Sequence, residues 1–351
     1  MRDTSQGKLT RLTRYRVRGR TPNPDLLVRL KVFLPLRNRE KVDSRLSMKM
    51  NVNTGNGVPV SIVFLNYNRL HETRITVEKL LKCKEELNGL EIIAVDNGST
   101  DGTGEYLSQI SEKIKTILLG KNYGIAGYNK GFEIAGGDVI IVLDDDSHIE
   151  VSTILRVIDS FQNAQDIGAI AFKIVDKSGL RFNTWHIPPD DTYQLSFAFV
   201  GCGFAIRKDV FREIGFYPAS FFLYHNEIAV AVKIRLLGYK IVYDPLCVAV
   251  HRTEGQPRDP TRRIYYTLKN SLVLIWMYYP SYMAIYMTLS RIIISFLLAV
   301  FYGKLGIAIK AIWDFLSSFP NRTILSRRER ISLIPFFYQN SIFHRILGKN
   351  K

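Results

Sequence analysis

Asp144, Asp145 and Asp146 follow directly on the apolar run Val139-Ile140-Ile141-Val142-Leu143. Such a run reads as a buried strand, so three carboxylates stand where the chain leaves the core. Adjacent like charges repel unless something positive sits among them. Two readings follow: a solvated acidic turn, or a site for a hard divalent cation, Mg²⁺ or Mn²⁺, that takes oxygen ligands and carries phosphate oxygens. Another acid, Asp96, ends an apolar run and precedes Asn97-Gly98-Ser99-Thr100-Asp101-Gly102. A carboxylate at that strand tip can accept a hydrogen bond from a ribose hydroxyl or a base N–H. An ordinary strand-to-helix turn, with Gly for tight backbone and Ser99 or Thr100 as cap, accounts for the same residues.

The elements that must hold these groups alternate. Strands are expected at Val60–Leu65, Leu90–Val95, Ile114–Leu119 and Val139–Leu143, with helices around Thr73–Lys82, Gly102–Ser111 and Ile125–Ala135. Alternation of this kind predicts an α/β domain with a largely parallel sheet. Ligands of such sheets bind outside the carboxyl ends of the strands, where each polar cluster falls. The stretch Gly120–Gly131 lacks the Gly-Lys-Ser/Thr ending of a P-loop, and no G-x-G-x-x-G follows the first strand. Kinase-like and dinucleotide-binding readings weaken accordingly.

Four segments in order (Val60–Arg69, Val95–Gly102, Asn122-Tyr123-Gly124 with Asn129, and Leu143–Asp146) resemble those of the family 2 glycosyltransferases of GT-A fold. The resemblance covers residues 58–252 and implies a nucleotide-sugar-dependent, inverting enzyme. Rhamnosyl and galactofuranosyl transferases are the most similar in appearance. It places Asn66, Asn68, Asp96, Asn122, Asn129, Asp144 and Asp145 at the donor nucleotide, with Asp144 and Asp146 as the metal-holding ends of a DxD motif. Gly201–Lys208, with Gly203, is similar to the segment lining the acceptor side of the cleft, where Tyr224 and Asn226 also fall. Glu227 stands where the family has the second acid of a pair, the base that deprotonates the acceptor hydroxyl. Here Asn226 replaces the first acid, and Ala229 holds a place often given to a third. The alternative for Glu227 is a surface acid on the helix Ile228–Leu237. His251 closes the run Val248–His251, as a histidine does repeatedly in the family, and is expected to ligand the metal; a lone histidine is otherwise more often structural. His148, His186 and His225 lack such support.

Composition frames the rest. The formal charge is +16, and residues 1–50 hold 14 Lys and Arg against 4 Asp and Glu, a local +10. Residues 1–57 read as a basic extension in which Leu26–Leu36 alone is apolar enough to dock. Anionic lipid is its expected partner; a basic nucleic-acid-binding protein is the weaker alternative, since no nucleic-acid module appears. Cys83, Cys202 and Cys247 show no CxxC pairing, which fits a reducing, cytosolic compartment. Residues 253–351 read as a helical, membrane-associated region. Ser281–Gly303 is long enough to cross a bilayer, about 35 Å as a helix. Arg291 lies mid-segment, however, at a cost of about 3 kcal/mol. Both flanks are basic, which disfavours a single crossing. A monotopic helix on the cytoplasmic face, continued by Ile307–Phe319, is expected; a buried helical pair or homo-oligomer interface is the alternative. Acceptors would then be glycans or lipid-linked glycans. A non-catalytic nucleotide-sugar-binding relative also stands, motivated by Asn226 and Ala229.

Overall fold

A computed structural model describes residues 59–252 and 259–347. The basic extension, including Leu26–Leu36, lies outside the described residues. The chain opens with Val60–Asn66 (β1), Leu70–Glu86 (α1), Glu91–Asp96 (β2), Thr103–Gln109 (α2) and Lys115–Leu118 (β3). A 3₁₀ turn at Gly124–Gly127, Tyr128–Ile134 (α3) and Val139–Asp144 (β4) follow. The strands fall within a residue or two of expectation. The helix expected over Ile125–Ala135 is divided, with its first turn tightened to 3₁₀. Then come Ser147–Ile149 (β5), Val151–Asn163 (α4), Ile167–Val175 (β6), Gln194–Leu195 (β7), Gly203–Arg207 (β8) and Lys208–Glu213 (α5). Asn226–Leu236 (α6) and Lys240–His251 (β9) complete the sheet domain.

The strands form one sheet in the order β3-β2-β1-β4-β8-β6-β9-β5, with β7 also paired to β9. β1, β2, β3 and β4 run parallel; β8 is antiparallel to both its neighbours, β4 and β6. The chain steps outward from β1 to β3 and then returns to β1's other side as β4. The β1–β4 boundary is therefore the switch point at which a crevice opens. Helices cover both faces, so β4 is apolar on both sides, and Val139 through Leu143 are fully buried. Burying each such side chain stabilises by about 1.5–3 kcal/mol. That is enough for β4 to hold three acids at its end against their mutual repulsion.

Pro260–Tyr278 (α7), Ser281–Phe301 (α8) and Leu305–Ser317 (α9) follow, then short helices at Arg327–Ile331, Ile334–Gln339 and Ile342–Leu347. These helices share a core with the sheet domain: Ile228, Ala229 and Val232 of α6 pack with Leu274, Ile275 and Tyr278 of α7 and with Met287 of α8. α8 is the one helix among the described residues long and apolar enough to cross a bilayer. Ser290, Ser295 and Arg291, the last 8 % exposed, are buried with Ala284. Tyr282, Ile285, Leu289, Ile293 and Leu297 face out, and Trp313 of α9, 70 % exposed, extends that apolar surface.

Candidate active site

Strand pairing brings the acids together. Asn66 lies opposite Asp96 and Leu65 opposite Asp144, so Asp96 and Asp144 flank the end of β1, two strand spacings or about 10 Å apart. Asp96 Oδ2 accepts from the N–H groups of Gly98 (3.2 Å) and Ser99 (3.0 Å), which fixes the carboxylate. Its Oδ1 is buried and without a hydrogen bond. A ligand donor such as a ribose hydroxyl suits that oxygen.

The Asp triplet divides into distinct environments. Tyr128 Oη donates to Asp144 Oδ1 (2.9 Å) and to the Leu143 carbonyl (2.6 Å). Arg69 Nη1 reaches Asp145 Oδ1 at 2.9 Å and Asp146 Oδ2 at 2.6 Å. Burial and the neighbouring Asp146 raise the Asp144 carboxyl above its ordinary pKa, against the opposing pull of His251. Burial likewise pushes Asp145 up to about 7, despite Arg69. Burial alone would lower the Arg69 guanidinium's pKa, but the two carboxylates hold it above its usual value. The turn is tied from behind: Thr76 Oγ1 donates to the Asp145 carbonyl (2.6 Å), and the Arg252 guanidinium bonds Glu72 Oε2 (2.9 Å) and Thr76 Oγ1 (2.7 Å).

His251 arrives through β9. Ser147 pairs with His251 across the β5–β9 ladder, which brings His251 Nε2 to 3.3 Å from Asp146 Oδ1. That oxygen is buried and makes no hydrogen bond. Asp144, Cys202 and His251 also offer three ligating atoms within 4.8 Å of one another. Burial and the charges of Asp144 and Asp146 push the Cys202 thiol well up, keeping it protonated, and a neutral thiol is a poor ligand for a hard ion. A buried carboxylate oxygen without a hydrogen bond, a second carboxylate and an imidazole fit a divalent cation.

Glu227 is close enough to Cys202 for its charge, like those of Asp144 and Asp146, to act on that thiol. It sits in the first turn of α6, where free N–H groups attract negative charge. Its carboxylate rests on Gly201: a Cβ there would stand 2.6 Å from Glu227 Oε1. Gly201 thus makes room for the carboxylate. Tyr224 and His225, just before the helix, hold left-handed backbone at φ 66° and 67°.

Several residues expected at the ligands also make hydrogen bonds within the protein. Asn66 is buried, donating to the Val95 carbonyl and accepting from Thr73 Oγ1. Asn129 bonds the Tyr217 backbone through its amide, Asn68 Oδ1 accepts from Thr100 N (2.7 Å) in the neighbouring loop, and Asn122 Oδ1 accepts from Gly124 N (2.7 Å) within its own. Gly203, expected on the acceptor side, lies in the sheet, where a Cβ would collide with Ala249 and Ile174. Asn226, also expected there, is fully buried, and its side-chain amide atoms make no hydrogen bond. Arg69 and Gly201 carry contacts in the candidate site that their sequence positions did not reveal. Arg69's one signal was its place in the polar turn after β1.

Comparison with known proteins agrees with this architecture. Residues 61–231 match glycosyl transferase family 2. An uncharacterized protein of Haemophilus influenzae is 32 % identical over 183 residues, which cover 48 % of this chain and 97 % of that protein. A dolichol-phosphate mannosyltransferase of Pyrococcus furiosus is 28 % identical over 53 % of this chain and 52 % of its own. A poly-beta-1,6-N-acetyl-D-glucosamine synthase of Staphylococcus aureus is 25 % identical over 58 % and 52 %. The chain thus spans about half the length of these last two relatives. Among solved structures, GalNAc-T7 with UDP, GalNAc and Mn²⁺ aligns with a TM-score of 0.55 at 16 % identity, over 76 % of this chain and 59 % of that one. S. aureus TarS 1-349 in complex with UDP-GlcNAc gives 0.54 at 16 %, over 81 % and 88 %. The fold is of the GT-A type, its mostly parallel sheet followed by C-terminal helices, and the chain belongs to glycosyl transferase family 2.

Proposed function

We propose that the protein is an inverting glycosyltransferase that moves a sugar from a nucleoside-diphosphate sugar to a hydroxyl of a cell-surface glycan or glycolipid. One observation carries the reading: Asp144, Asp146 and His251 converge at the switch point, with Glu227 close enough to Cys202 for its charge to reach that thiol. Asp96 Oδ1 accepts from the donor's ribose or base. Asp144, Asp146 and His251 would hold Mg²⁺ or Mn²⁺, which when bound supplies positive charge against the diphosphate that leaves. Glu227 accepts the acceptor's proton while the hydroxyl oxygen bonds to the anomeric carbon and the bond to the diphosphate oxygen breaks. Attack from the face opposite the leaving group inverts the anomeric centre. Arg69 keeps Asp145 and Asp146 in place before the ion enters.

The outward apolar face of α8 and α9, with basic residues such as Arg262, Lys304 and Lys310 nearby in sequence, supports a peripheral seat on an anionic membrane, on the cytoplasmic side. Because Asn226 stands in place of the family's first acid and makes no hydrogen bond, a non-catalytic nucleotide-sugar-binding protein is the second reading. A thermal-shift and hydrolysis screen tests both. The panel holds UDP-N-acetylglucosamine and GDP-mannose, suggested by the relatives, and the rhamnosyl and galactofuranosyl nucleotides suggested by sequence, each with and without Mn²⁺. A Mn²⁺-dependent shift with nucleoside-diphosphate release supports the enzyme; a shift without any release supports the binding protein.

A further inference from the structure

The segment Phe222–His225, which leads into Glu227, is gripped from two sides. On the donor side the Ile125 N–H donates to the Phe222 carbonyl at 2.9 Å. On the other side stands α7. Asn270 Nδ2 donates to both the Leu223 and the Tyr224 carbonyls, each at 2.9 Å, and Ser271 Oγ is 3.0 Å from His225 Nε2. The ring of Tyr266, one turn earlier on α7, stacks on Phe222 at 5.3 Å.

Asn270 and Ser271 are completely buried, so no water competes for these bonds. What they hold is costly backbone. Tyr224 and His225 are successive non-glycine residues in left-handed conformation, which persists only where surroundings over-determine it. Released, Tyr224 and His225 would relax toward ordinary conformations, and the first turn of α6 would rotate with them. Glu227 is two residues on, its carboxylate confined against Gly201. A base displaced by about 1 Å can lose a hundredfold in rate.

We propose that Asn270 and Ser271 are positioning residues for Glu227, so that the C-terminal helical layer completes the catalytic site. The inference rests on Glu227 being the base. Its test is a double-mutant cycle on the full chain, read as nucleoside-diphosphate release from the sugar-nucleotide panel above with Mn²⁺, beside nucleotide affinity. Asn270→Ala lowers kcat by about tenfold to a hundredfold and leaves UDP or GDP affinity unchanged. Ser271→Ala, which only deletes a hydroxyl, gives a smaller loss of the same kind and serves if Asn270→Ala does not fold. In a Glu227→Gln background neither substitution lowers kcat further. Full kcat in the folded single variants overturns the inference, and so does equal loss of affinity and kcat, or loss that adds to that of Glu227→Gln. Unimpaired release by Glu227→Gln, or none by the unsubstituted protein with any sugar nucleotide, instead removes the base role itself, and the inference falls with it.

Discussion

His251 Nε2 stands 3.3 Å from Asp146 Oδ1, although Asp146 lies in the turn between β4 and β5 and His251 ends β9, far along the chain. The antiparallel pairing of Ser147 with His251 makes the contact, and the Arg252 N–H continues it by donating to the Asp146 carbonyl at 2.9 Å. Asp146 Oδ2 meets Arg69, while Oδ1 makes no hydrogen bond and faces His251, an arrangement that suits a cation between them.

Removing that oxygen should remove the ion. Asp146→Ala is expected to weaken Mn²⁺ binding by about ten- to a hundredfold, as loss of a ligand or its close support commonly does. Isothermal titration of Mn²⁺ in the presence of UDP or GDP measures it. Unchanged Mn²⁺ affinity in a folded variant would place the ion elsewhere.

Crowding Glu227 should impair rate without unfolding. In Gly201→Ala the new methyl meets the far end of the Glu227 side chain rather than backbone, so the carboxylate can move aside at little cost in stability. Turnover should fall by about tenfold or more, with the melting temperature nearly unchanged. Parallel assays of release and thermal unfolding separate the two effects; full turnover would mean that the carboxylate's position against Gly201 is immaterial.

Acid should weaken the fold partly through His186. Burial lowers its imidazole from 6.5 to about 4 in the folded protein. Between those values the unfolded chain binds the proton and the native state does not, so stability falls as pH falls through that window. His186→Gln should flatten part of this dependence when unfolding by urea is compared across pH 6.5 to 4. An identical slope in the variant would remove His186 as a source.

Much of this was legible in the sequence, and the misses have physical causes. Apolar runs located β1, β2 and β4, and the acids at their ends followed because a parallel sheet collects its carboxyl termini. Arg69 escaped because its partners Asp145 and Asp146 become neighbours only through the β1–β4 pairing. Asn66 and Asn129 share the polarity of ligand-binding residues, but composition does not say whether an amide faces a ligand or a backbone carbonyl. In α8 the sequence showed a long apolar segment with Arg291 at its middle; only the packing of α7 and α9 determined that Arg291 turns inward and an apolar face outward.

That inversion gives a prediction about membranes. Leu297 and Trp313 are 67 % and 70 % exposed, so charging them costs the fold little. Leu297→Glu with Trp313→Glu should weaken flotation with phosphatidylserine vesicles by about tenfold or more, since each buried side chain of this size contributes about 1.5–3 kcal/mol. Undiminished flotation would leave the basic residues, or another surface, as the attachment.

The most direct measurement is turnover by Glu227→Gln, an isosteric change that keeps the side chain's length and removes its basicity. With the donor identified by the screen, the variant should bind nucleotide sugar and Mn²⁺ as the unsubstituted protein does. Its rate of nucleoside-diphosphate release to acceptor should fall by about a hundredfold to ten-thousandfold, the usual contribution of a general base. Near-normal release by a folded Glu227→Gln protein would contradict the account.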